Sequence, residues 1–238
     1  SQALAQGFTD RARWYGDPAF TAVPLPALLA PPRLAAVRAA ISGARTRIPT
    51  PALVPDHGTA NVSVVDTEGN AAAATTTINT GFGAGLLVPG TGIILNNEMD
   101  DFATAPGVPN AFGLTGGAAN AVAPGKRPQS SMSPTVVLAG RRPELAVGAS
   151  GGPTIISGVV QVVLGVAAFG LDLGAAVAAP RIHDQAEPAV LAVEEGISPV
   201  TRAALVRLGH RVVVAPGLGA VSAAGLTRDG RPAAAGDA

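Results

Sequence analysis

The sequence His-Gly-Thr-Ala-Asn-Val-Ser-Val-Val-Asp occupies residues 57–66, where a glycine and a threonine stand directly before a strand-like run. Apolar and polar residues alternate after Thr59, which is typical of a half-buried β-strand. A threonine acts as a nucleophile without histidine when its own α-amine, with a pKa of about 7.7 to 8.0, is free to accept the hydroxyl proton. That amine exists only after cleavage between Gly58 and Thr59. Two interpretations are open at this point. Taken alone, the stretch fits an ordinary loop that enters a strand, and it also fits a self-cleaving threonine nucleophile.

Four further blocks of sequence follow this stretch. They read Thr-Thr-Thr-Ile-Asn-Thr-Gly-Phe-Gly at 75–83, Gly-Thr-Gly-Ile-Ile-Leu-Asn-Asn-Glu-Met-Asp-Asp-Phe at 90–102, Gly-Lys-Arg-Pro-Gln-Ser-Ser-Met-Ser-Pro-Thr at 125–135 and Gly-Ala-Ser-Gly-Gly-Pro-Thr-Ile-Ile at 148–156. In this order and spacing the blocks closely resemble the small subunit of γ-glutamyltranspeptidases, the threonine branch of the N-terminal nucleophile hydrolases. The resemblance runs from about Asp10 to the C-terminus.

The resemblance implies an α+β fold, a four-layer αββα sandwich of the N-terminal nucleophile hydrolase type. The pattern of elements alone, strands followed by paired helices, predicts only the α+β class. The resemblance also divides the chain: residues 1–58 resemble the C-terminal tail of the large subunit with a pro-region loop, and residues 59–238 the small-subunit catalytic region. No signal peptide is visible in this sequence. The expected periplasmic or extracellular location therefore comes from the resemblance alone.

The catalytic roles are also implied by the resemblance. Thr59 first attacks the carbonyl of Gly58 and, after cleavage, a γ-glutamyl amide. Thr77 resembles the second threonine, which hydrogen-bonds the nucleophile. The backbone N–H groups of Gly151 and Gly152, between a strand and a helix start, resemble the oxyanion hole. Without the resemblance, Thr77 also fits an ordinary strand threonine, and the double glycine an ordinary turn.

A γ-glutamyl donor carries an α-carboxylate and an α-ammonium, which need hydrogen-bond donors and acidic acceptors respectively. By resemblance, Ser130 and Ser131 contact the carboxylate, while Asn79, Glu98 and Asp101 meet the ammonium. The expected activity is that of a γ-glutamyltransferase or glutathione hydrolase, a self-processing zymogen that passes the γ-glutamyl group to water or to an amino acid or dipeptide acceptor. No cofactor is implied. The expected partners are glutathione or other γ-glutamyl compounds and the remainder of the large subunit.

One element of that donor pocket is not expected in this chain. The family's carboxylate-binding arginine belongs to a part of the large subunit that these residues do not include. Lys126 and Arg127 are alternative carboxylate partners, but nothing in the sequence positions them, and a solvated loop accounts for them.

Composition and charge exclude several classes of protein. The formal net charge is zero and no basic tract is present, so nucleic acid has no evident electrostatic attraction to this chain. The absence of cysteine excludes disulfides, thiolate metal sites and a cysteine nucleophile. Hydrophobic residues make up 47% of the chain and aromatic residues only 3%, which predicts a core of Ala, Val, Leu and Ile. The histidines show no metal-ligand spacing and are expected to be surface or packing residues: His57, His183 and His210.

Hydrophobic pattern and turn residues predict the main elements. Asp-Thr-Glu-Gly-Asn at 66–70 suits a tight reversal between two strands. The other expected elements are helices over residues 31–42 and 154–169, short helices capped by Asp172 and Ser198, strands over 62–65, 71–78, 135–139 and 145–149, and a proline-rich loop over 46–58 that tolerates cleavage.

Residues 145–171 contain no charged side chain, a run longer than the ~20 residues that cross a bilayer. Gly148, Gly151, Gly152 and Pro153 interrupt its first part, so a buried helix is favoured over membrane insertion.

Two alternatives remain open within the resemblance. The family usually has Thr-Thr-His at the nucleophile, whereas this chain has Thr59, Ala60 and Asn61, which predicts slower self-cleavage. An unprocessed, catalytically silent γ-glutamyl-binding domain is therefore one alternative. A related amide acylase of the cephalosporin type, with the same nucleophile and a larger acyl pocket, is the other.

Overall fold

The structure, a computed structural model, describes residues 1–41, 58–227 and 229–237. The loop predicted over residues 46–58 lies outside the described residues, apart from Gly58. The helices are α1 (Gln2–Trp14), α2 (Leu25–Leu28), α3 (Pro31–Ala40), α4 (Thr154–Ala167), α5 (Leu173–Ala178) and α6 (Pro199–Arg207). The strands are β1 (Thr59–Val65), β2 (Ala71–Thr77), β3 (Leu87–Val88), β4 (Ile93–Ile94), β5 (Thr135–Ala139), β6 (Arg142–Ser150), β7 (Ile182–His183), β8 (Leu191–Glu194), β9 (Val212–Ala215), β10 (Ala220–Leu226) and β11 (Pro232–Gly236). Short 3₁₀ helices cover Glu98–Asp101 and Ala118–Asn120.

The strands β1 and β2 form the antiparallel hairpin that the sequence predicts. Asp66 closes its turn, because the carboxylate Oδ1 accepts hydrogen bonds from the backbone N–H groups of Glu68 and Asn70 at 2.9 and 2.8 Å. Gly69 adopts φ 84°, a conformation that glycine reaches without a steric penalty. The turn residues thus set the register of the whole hairpin.

This register places two threonines opposite each other. Val65 pairs with Ala71 beside the turn, and Thr59 therefore pairs with Thr77 at the open end. β1 begins three residues earlier than the predicted strand at 62–65, because its first residues pair with Thr75–Thr77 of β2. The separation of eighteen residues in sequence becomes direct adjacency in the fold.

A four-stranded antiparallel sheet of order β11-β10-β6-β5 lies against this hairpin. β1 and β2 pack on one face of β6 and β10, while α4 and α5 pack against the same sheet from the other side. β6 is accordingly buried on both faces from Leu145 to Ala149. The core between this sheet and the helices α4 and α5 contains the aliphatic residues expected from the composition: Leu145, Val147, Ala149, Ile155, Val159, Val162, Ala176, Val177, Val221 and Ala223.

The described layers are thus helix, sheet and sheet, and the predicted α+β class is confirmed. The outer face of the β1–β2 hairpin is exposed, with Val62 and Val64 at 62% and 50%. This face is where the fourth layer of the predicted αββα sandwich would lie.

Several parts of the fold were not predicted from the sequence, among them α2, the β3–β4 pair and the strands β10 and β11. Another is α1, whose Ala5 and Phe8 pack with Phe112 and Leu114 in a second, smaller core. A further one is a three-stranded sheet of order β7-β8-β9, in which β8 and β9 run parallel. α6 connects β8 to β9 and starts at Ser198, whose hydroxyl accepts a hydrogen bond from the Thr201 N–H at 3.1 Å.

The uncharged run at 145–171 divides between β6 and α4. Among the described residues, no helix combines the length and the apolar character needed to cross a bilayer.

Asn61 joins the two stacked sheets. Its Nδ2 donates hydrogen bonds to Ser63 Oγ at 2.9 Å and to Ser222 Oγ of β10 at 2.8 Å, and its Oδ1 accepts one from Thr75 Oγ1 at 2.8 Å. A Cβ on Gly148 would overlap the Asn61 side chain, so a larger residue at that position would displace Asn61 from these hydrogen bonds. Asn61, one of the two residues that depart from the family pattern, is therefore hydrogen-bonded between the sheets, two positions after Thr59.

Arg181 anchors the end of the chain through ion pairs with two carboxylates. Its Nη2 lies 3.2 Å from Glu194 Oε1 and 2.9 Å from Asp237 Oδ2, and the three side chains are only 8%, 14% and 16% exposed. Asp237 also accepts a hydrogen bond from the Val221 N–H of β10 at 2.6 Å. The pairs therefore connect β8 and the end of the chain to the central sheet.

Replacing Arg181 with methionine is expected to lower the free energy of unfolding by about 3 kcal/mol, because two buried carboxylates lose their cation. The midpoint of urea denaturation at an unchanged slope measures this loss. Arg231→Met is the matched control, since the ion pair of Arg231 with Asp229 is solvent-exposed. Equal midpoints for the two variants would contradict the expectation.

Candidate active site around Thr59

The hydroxyl groups of Thr59 and Thr77 lie 2.8 Å apart at the open end of the hairpin. Thr77 Oγ1 also accepts a hydrogen bond from the Asn79 N–H at 2.8 Å and lies 3.2 Å from the carbonyl oxygen of Gly58. A hydroxyl has a single proton to donate. When Thr77 donates it to Gly58, the hydrogen bond between the threonines requires Thr59 to donate to Thr77. In that arrangement, the proton of the Thr59 hydroxyl is directed away from the Gly58 carbonyl.

The backbone around Gly58 is tightly packed. Its carbonyl oxygen accepts a hydrogen bond from the Ile78 N–H at 3.0 Å. A Cβ at this position would lie 2.6 Å from the carbonyl oxygens of both Asn79 and Thr80, a distance that real side chains do not reach. Glycine is therefore required before Thr59, and two donors, Ile78 N–H and the Thr77 hydroxyl, can contact its carbonyl.

Beside the threonine pair lies a small cavity that is partly open to solvent. Most of the residues predicted for the site line it, although they come from five separate blocks of sequence. The lining residues are Thr59, Thr77, Asn79, Glu98, Asp101, Ser130, Ser131 and Gly152, which were predicted, together with Phe112, Met132 and Ile155, which were not. Gly151 was predicted for the same site but does not line this cavity.

Glu98 and Asp101 lie on one 3₁₀ helix at the wall of the cavity. Burial and the neighbouring carboxylate of Glu98 raise the pKa of Asp101 to about 7. The positive charge of Arg11 in α1 opposes this rise, and Asp100 adds to it. The cavity wall therefore carries a carboxyl group that changes its charge near neutral pH.

Asn79 is buried between the β1–β2 hairpin and the 3₁₀ helix Glu98–Asp101. It adopts φ 74°, which asparagine tolerates better than most residues, and its Nδ2 donates to the carbonyl oxygen of Asn97 at 3.2 Å. The backbone N–H of Asn79 also donates a hydrogen bond to Thr77 Oγ1. One residue thus connects the threonine pair to the loop that carries Glu98 and Asp101.

The serine side of the cavity is a loop before β5. Ser131 is buried and its hydroxyl lies 3.3 Å from Nη2 of Arg11, whereas Ser130 is exposed and its Oγ accepts a hydrogen bond from the Met132 N–H at 3.1 Å. The two serines therefore both line the cavity, but their hydroxyl groups have different hydrogen-bond partners.

Gly151 and Gly152 form the turn from β6 into α4 with φ angles of 126° and 57°. A Cβ on Gly151 would lie 2.5 Å from Thr154 Oγ1 and 2.6 Å from the Cα of Gly219, so glycine is required there. The turn places the start of α4 at the cavity, where the helix dipole favours negative charge.

The sequence predicts that Lys126 and Arg127 lie in a solvated loop and that nothing positions them as carboxylate partners. Arg127 is in fact positioned by Asp17: its Nη2 lies 2.8 Å from Asp17 Oδ1, and its backbone N–H donates to Asp17 Oδ2 at 2.9 Å. Lys126 Nζ donates to the carbonyl oxygen of Ala121 at 2.8 Å. Neither residue lines the cavity.

Three apolar residues of the cavity and Arg11 were missed from the sequence. Ile155 lies in a helix predicted as buried, and Met132 follows the two serines directly, but neither position signals a cavity. Phe112 packs with α1 in the smaller core, and no local sequence pattern predicts this contact. Arg11 lies more than a hundred residues before Ser131 in the sequence, so only the fold brings them together.

Among the residues that the structure describes, no cluster of three or more His, Asp or Glu side chains is arranged to hold a metal ion. His183 is a buried packing residue, as expected. Its ring nitrogens lie 2.7 Å from Ser157 Oγ and 2.8 Å from Gln185 Oε1, and burial lowers its pKa. His57 lies outside the described residues.

Comparisons with known proteins agree with the resemblance found in the sequence. The family model described as Gamma-glutamyltranspeptidase matches residues 1–238. The glutathione hydrolase proenzyme of Escherichia coli strain K12 is 42% identical over 236 residues, which cover 97% of this chain and 41% of that protein. The chain thus spans about two fifths of the length of this relative.

Solved structures give the same result for the fold. A variant of Helicobacter pylori gamma-glutamyltranspeptidase aligns with a TM-score of 0.69 and 41% identity, over 74% of this chain and 96% of the solved chain. Cephalosporin acylase from Bacillus halodurans aligns with a TM-score of 0.82 and 26% identity, over 99% of this chain and 43% of the solved chain. These similarities confirm the prediction of a fold of the N-terminal nucleophile hydrolase type.

Proposed function

The chain belongs to the gamma-glutamyltranspeptidase family, and from this premise we propose that it forms the catalytic region of a γ-glutamyltransferase or glutathione hydrolase. The observation that supports this most directly is the pair of hydroxyls of Thr59 and Thr77, 2.8 Å apart, beside a cavity lined with carboxylates and hydroxyls. Its substrates would be glutathione or other γ-glutamyl compounds, and its acceptors water, amino acids or dipeptides.

The first step would be cleavage of the chain before Thr59. Thr59 Oγ1 attacks the carbonyl carbon of Gly58, the C–N bond of the peptide breaks, and the acyl group moves from nitrogen to oxygen. Negative charge develops on Gly58 O, where the Ile78 N–H and the Thr77 hydroxyl are placed to stabilise it, at 3.0 and 3.2 Å. Breaking the C–N bond frees the α-amine of Thr59, which takes up the hydroxyl proton. Water then hydrolyses the ester, which releases a carboxylate on Gly58 and restores the Thr59 hydroxyl.

The second reaction would use the same hydroxyl on the donor. The new α-amine of Thr59 accepts the hydroxyl proton directly or through water, and Oγ1 attacks the γ-carbonyl of the donor. The leaving amine takes a proton, and a γ-glutamyl ester of Thr59 remains. The N-terminal end of α4, with Gly151 and Gly152, is proposed to stabilise the oxyanion. Water or an acceptor amine then removes the γ-glutamyl group.

The polar lining of the cavity suits an amino acid as the acyl group. We assign the α-ammonium to Asn79, Glu98 and Asp101, and the α-carboxylate to Ser130 and Ser131. Arg127 is paired with Asp17 away from the cavity. A cation for the carboxylate is therefore proposed to come from the remainder of the large subunit, which would also cover the exposed face of the β1–β2 hairpin.

The same premise supports a subunit boundary at Thr59, with residues 1–58 as the end of the large subunit and 59–238 as the small subunit. A periplasmic or extracellular location is proposed on the family resemblance alone.

Intact mass spectrometry tests the proposal. The 238-residue chain is measured by itself and after its N-terminus is completed to the length of its relatives, followed by kinetics with a γ-glutamyl anilide. A fragment that begins at Thr59, together with release of the aniline, is expected for the completed protein. An uncut protein that binds γ-glutamyl compounds without turnover would instead indicate the silent binding domain, and cleavage of bulky acyl amides but not γ-glutamyl amides the acylase.

Replacing Thr77 with valine is expected to slow both self-cleavage and turnover by about 10- to 100-fold, because an isosteric side chain leaves Thr59 without its hydrogen-bonding partner. Cleavage rates and kcat for a γ-glutamyl anilide measure the effect. Thr77→Ser is expected to restore most of the activity. Thr76→Val is the matched control, since Thr76 lies on the exposed face of the same strand. A Thr76 variant as slow as the Thr77 variant would refute the assigned role.

A further inference from the structure

Arg11 of α1 reaches the serine loop of the cavity from a segment that precedes Thr59 in the chain. Its Nη2 lies 3.3 Å from Ser131 Oγ and 3.4 Å from the carbonyl oxygen of Gln129, both long hydrogen bonds. The Gln129 side chain returns the contact, with Nε2 3.5 Å from the Arg11 carbonyl oxygen. Arg11 thus contacts the loop that presents one of the predicted carboxylate-binding hydroxyls.

The same region of α1 is connected to the acidic side of the cavity through Asn120. Its buried side chain donates to the Asp101 carbonyl oxygen at 2.7 Å and accepts from the Gln129 N–H at 3.0 Å. The neighbouring Gly117 N–H donates to the carbonyl oxygen of Ala12 in α1 at 3.0 Å. Both walls of the cavity are therefore tied to each other and to α1.

Arg11 also carries a positive charge that interacts with Asp101. Burial lowers its pKa to about 10, and Asp101 opposes that change, so the two groups interact electrostatically. At neutral pH the guanidinium remains positive. The charged or titratable groups that influence Asp101 are Glu98 and Asp100 on its own 3₁₀ helix and Arg11 from α1. Arg11 is the cation among these influences.

We propose that Arg11 is a positioning residue of the donor site: its guanidinium orients the Ser131 hydroxyl toward the substrate carboxylate and supplies a positive charge that interacts with Asp101, which receives the substrate ammonium. This inference rests on the proposed function. It also means that α1 must stay bound after cleavage before Thr59, because a residue of the N-terminal fragment completes the electrostatics of the site. The packing of Phe8 against Phe112 provides an apolar contact that retains it.

The test compares Arg11→Gln with Arg11→Lys and with Arg13→Gln in the protein completed to the length of its relatives. Arg13 lies on the same helix, is exposed and stacks on Trp14, so its variant removes the same charge from the same element. For Arg11→Gln, KM for a γ-glutamyl anilide is expected to rise about tenfold with kcat within about threefold, since ground-state and transition-state binding weaken together. The acidic limb of kcat/KM is expected to move about one pH unit upward, because ionised Asp101 loses its cation.

The conservative variant separates charge from geometry. Arg11→Lys is expected to keep the acidic limb in place while KM still rises about threefold, since an ammonium retains the charge but not the planar hydrogen-bonding geometry. If Arg11→Gln does not fold, this split in Arg11→Lys remains the test. The inference is overturned if Arg11→Gln and Arg13→Gln have the same KM and the same position of the acidic limb of kcat/KM.

A second readout separates this inference from the proposed function. The carboxyl carbon of Asp101, followed by nuclear magnetic resonance, is expected to titrate about one pH unit higher in Arg11→Gln than in the wild type, whether or not the protein turns over γ-glutamyl substrates. An unchanged titration overturns the role assigned to Arg11. A shifted titration in a protein that neither binds nor cleaves γ-glutamyl compounds supports the interaction and overturns the proposed function.

Discussion

A Thr59→Ala variant is expected to remain uncut before residue 59 and to lose turnover of γ-glutamyl amides by about 10⁴-fold or more. The reason is that one hydroxyl is assigned to both reactions. Without Oγ1, neither the Gly58 carbonyl nor the donor amide has a nucleophile, and Thr77 cannot replace it because its oxygen lies opposite, on β2. Intact mass and anilide kinetics measure the two losses separately.

Thr59→Ser is the control for this result. Serine keeps the hydroxyl and the α-amine, so cleavage before residue 59 and measurable turnover are expected to persist at reduced rates. A Thr59→Ala protein that is still cut at the same bond would mean that another protease processes it. A Thr59→Ala protein that keeps full turnover would exclude Thr59 as the nucleophile.

An Asp101→Asn variant is expected to lose about 10²- to 10³-fold in kcat/KM for γ-glutamyl donors, because the substrate ammonium loses a charged acceptor in a largely desolvated site. In the wild type, kcat/KM is expected to fall as the pH drops through about 7, where Asp101 takes up a proton. The variant is expected to lack that limb. A pH series of anilide kinetics measures both effects. Asp100→Asn, in the same 3₁₀ helix but exposed, is the matched control: it is expected to keep most of kcat/KM and to keep the limb, moved to lower pH because Asp100 adds to the rise in the pKa of Asp101.

The raised pKa of Asp101 also has a consequence for stability. The unfolded carboxyl has a pKa of about 3.9, so between about pH 4 and 7 the folded state binds more protons than the unfolded state. The stability contributed by this group is therefore present at low pH and is lost as the pH rises through about 7. Urea denaturation of Asp101→Asn is expected to show a weaker decline of stability over this pH range. An equally steep decline in the variant would show that Asp101 does not cause it.

Several elements could be predicted because their causes are local. The β1–β2 hairpin follows from Asp66 and Gly69 in its turn, the second hairpin from a glycine turn between apolar runs, and α4 from an uncharged, mostly apolar stretch after Pro153. The caps Asp172 and Ser198 each accept a hydrogen bond from the backbone N–H three residues on, as their side chains predict. In each case a few neighbouring residues determine the backbone conformation.

The site was predicted differently. Local chemistry identified only the possibility of a nucleophile at Thr59, while the roles of Thr77, Asp101 and Ser131 came from the resemblance of spaced blocks to one family. No periodicity brings residues 59, 101 and 131 together, because their proximity depends on loops that pack over the two sheets. The parallel pair β8–β9 was missed for the same reason, since its partners are separated by α6.

Residue patterns were enough to predict the family, the hairpin that opposes Thr59 and Thr77, the helix that follows Gly151 and Gly152, and a core of aliphatic residues. They did not predict that Gly58 must be glycine, that Arg127 pairs with Asp17, that Arg11 contacts the serine loop or that Phe112 lines the cavity. The difference lies in the range of the interactions. Turns, caps and strand register depend on hydrogen bonds between near neighbours, whereas close backbone approach, burial and the pKa of Asp101 depend on segments that meet only when the chain has folded.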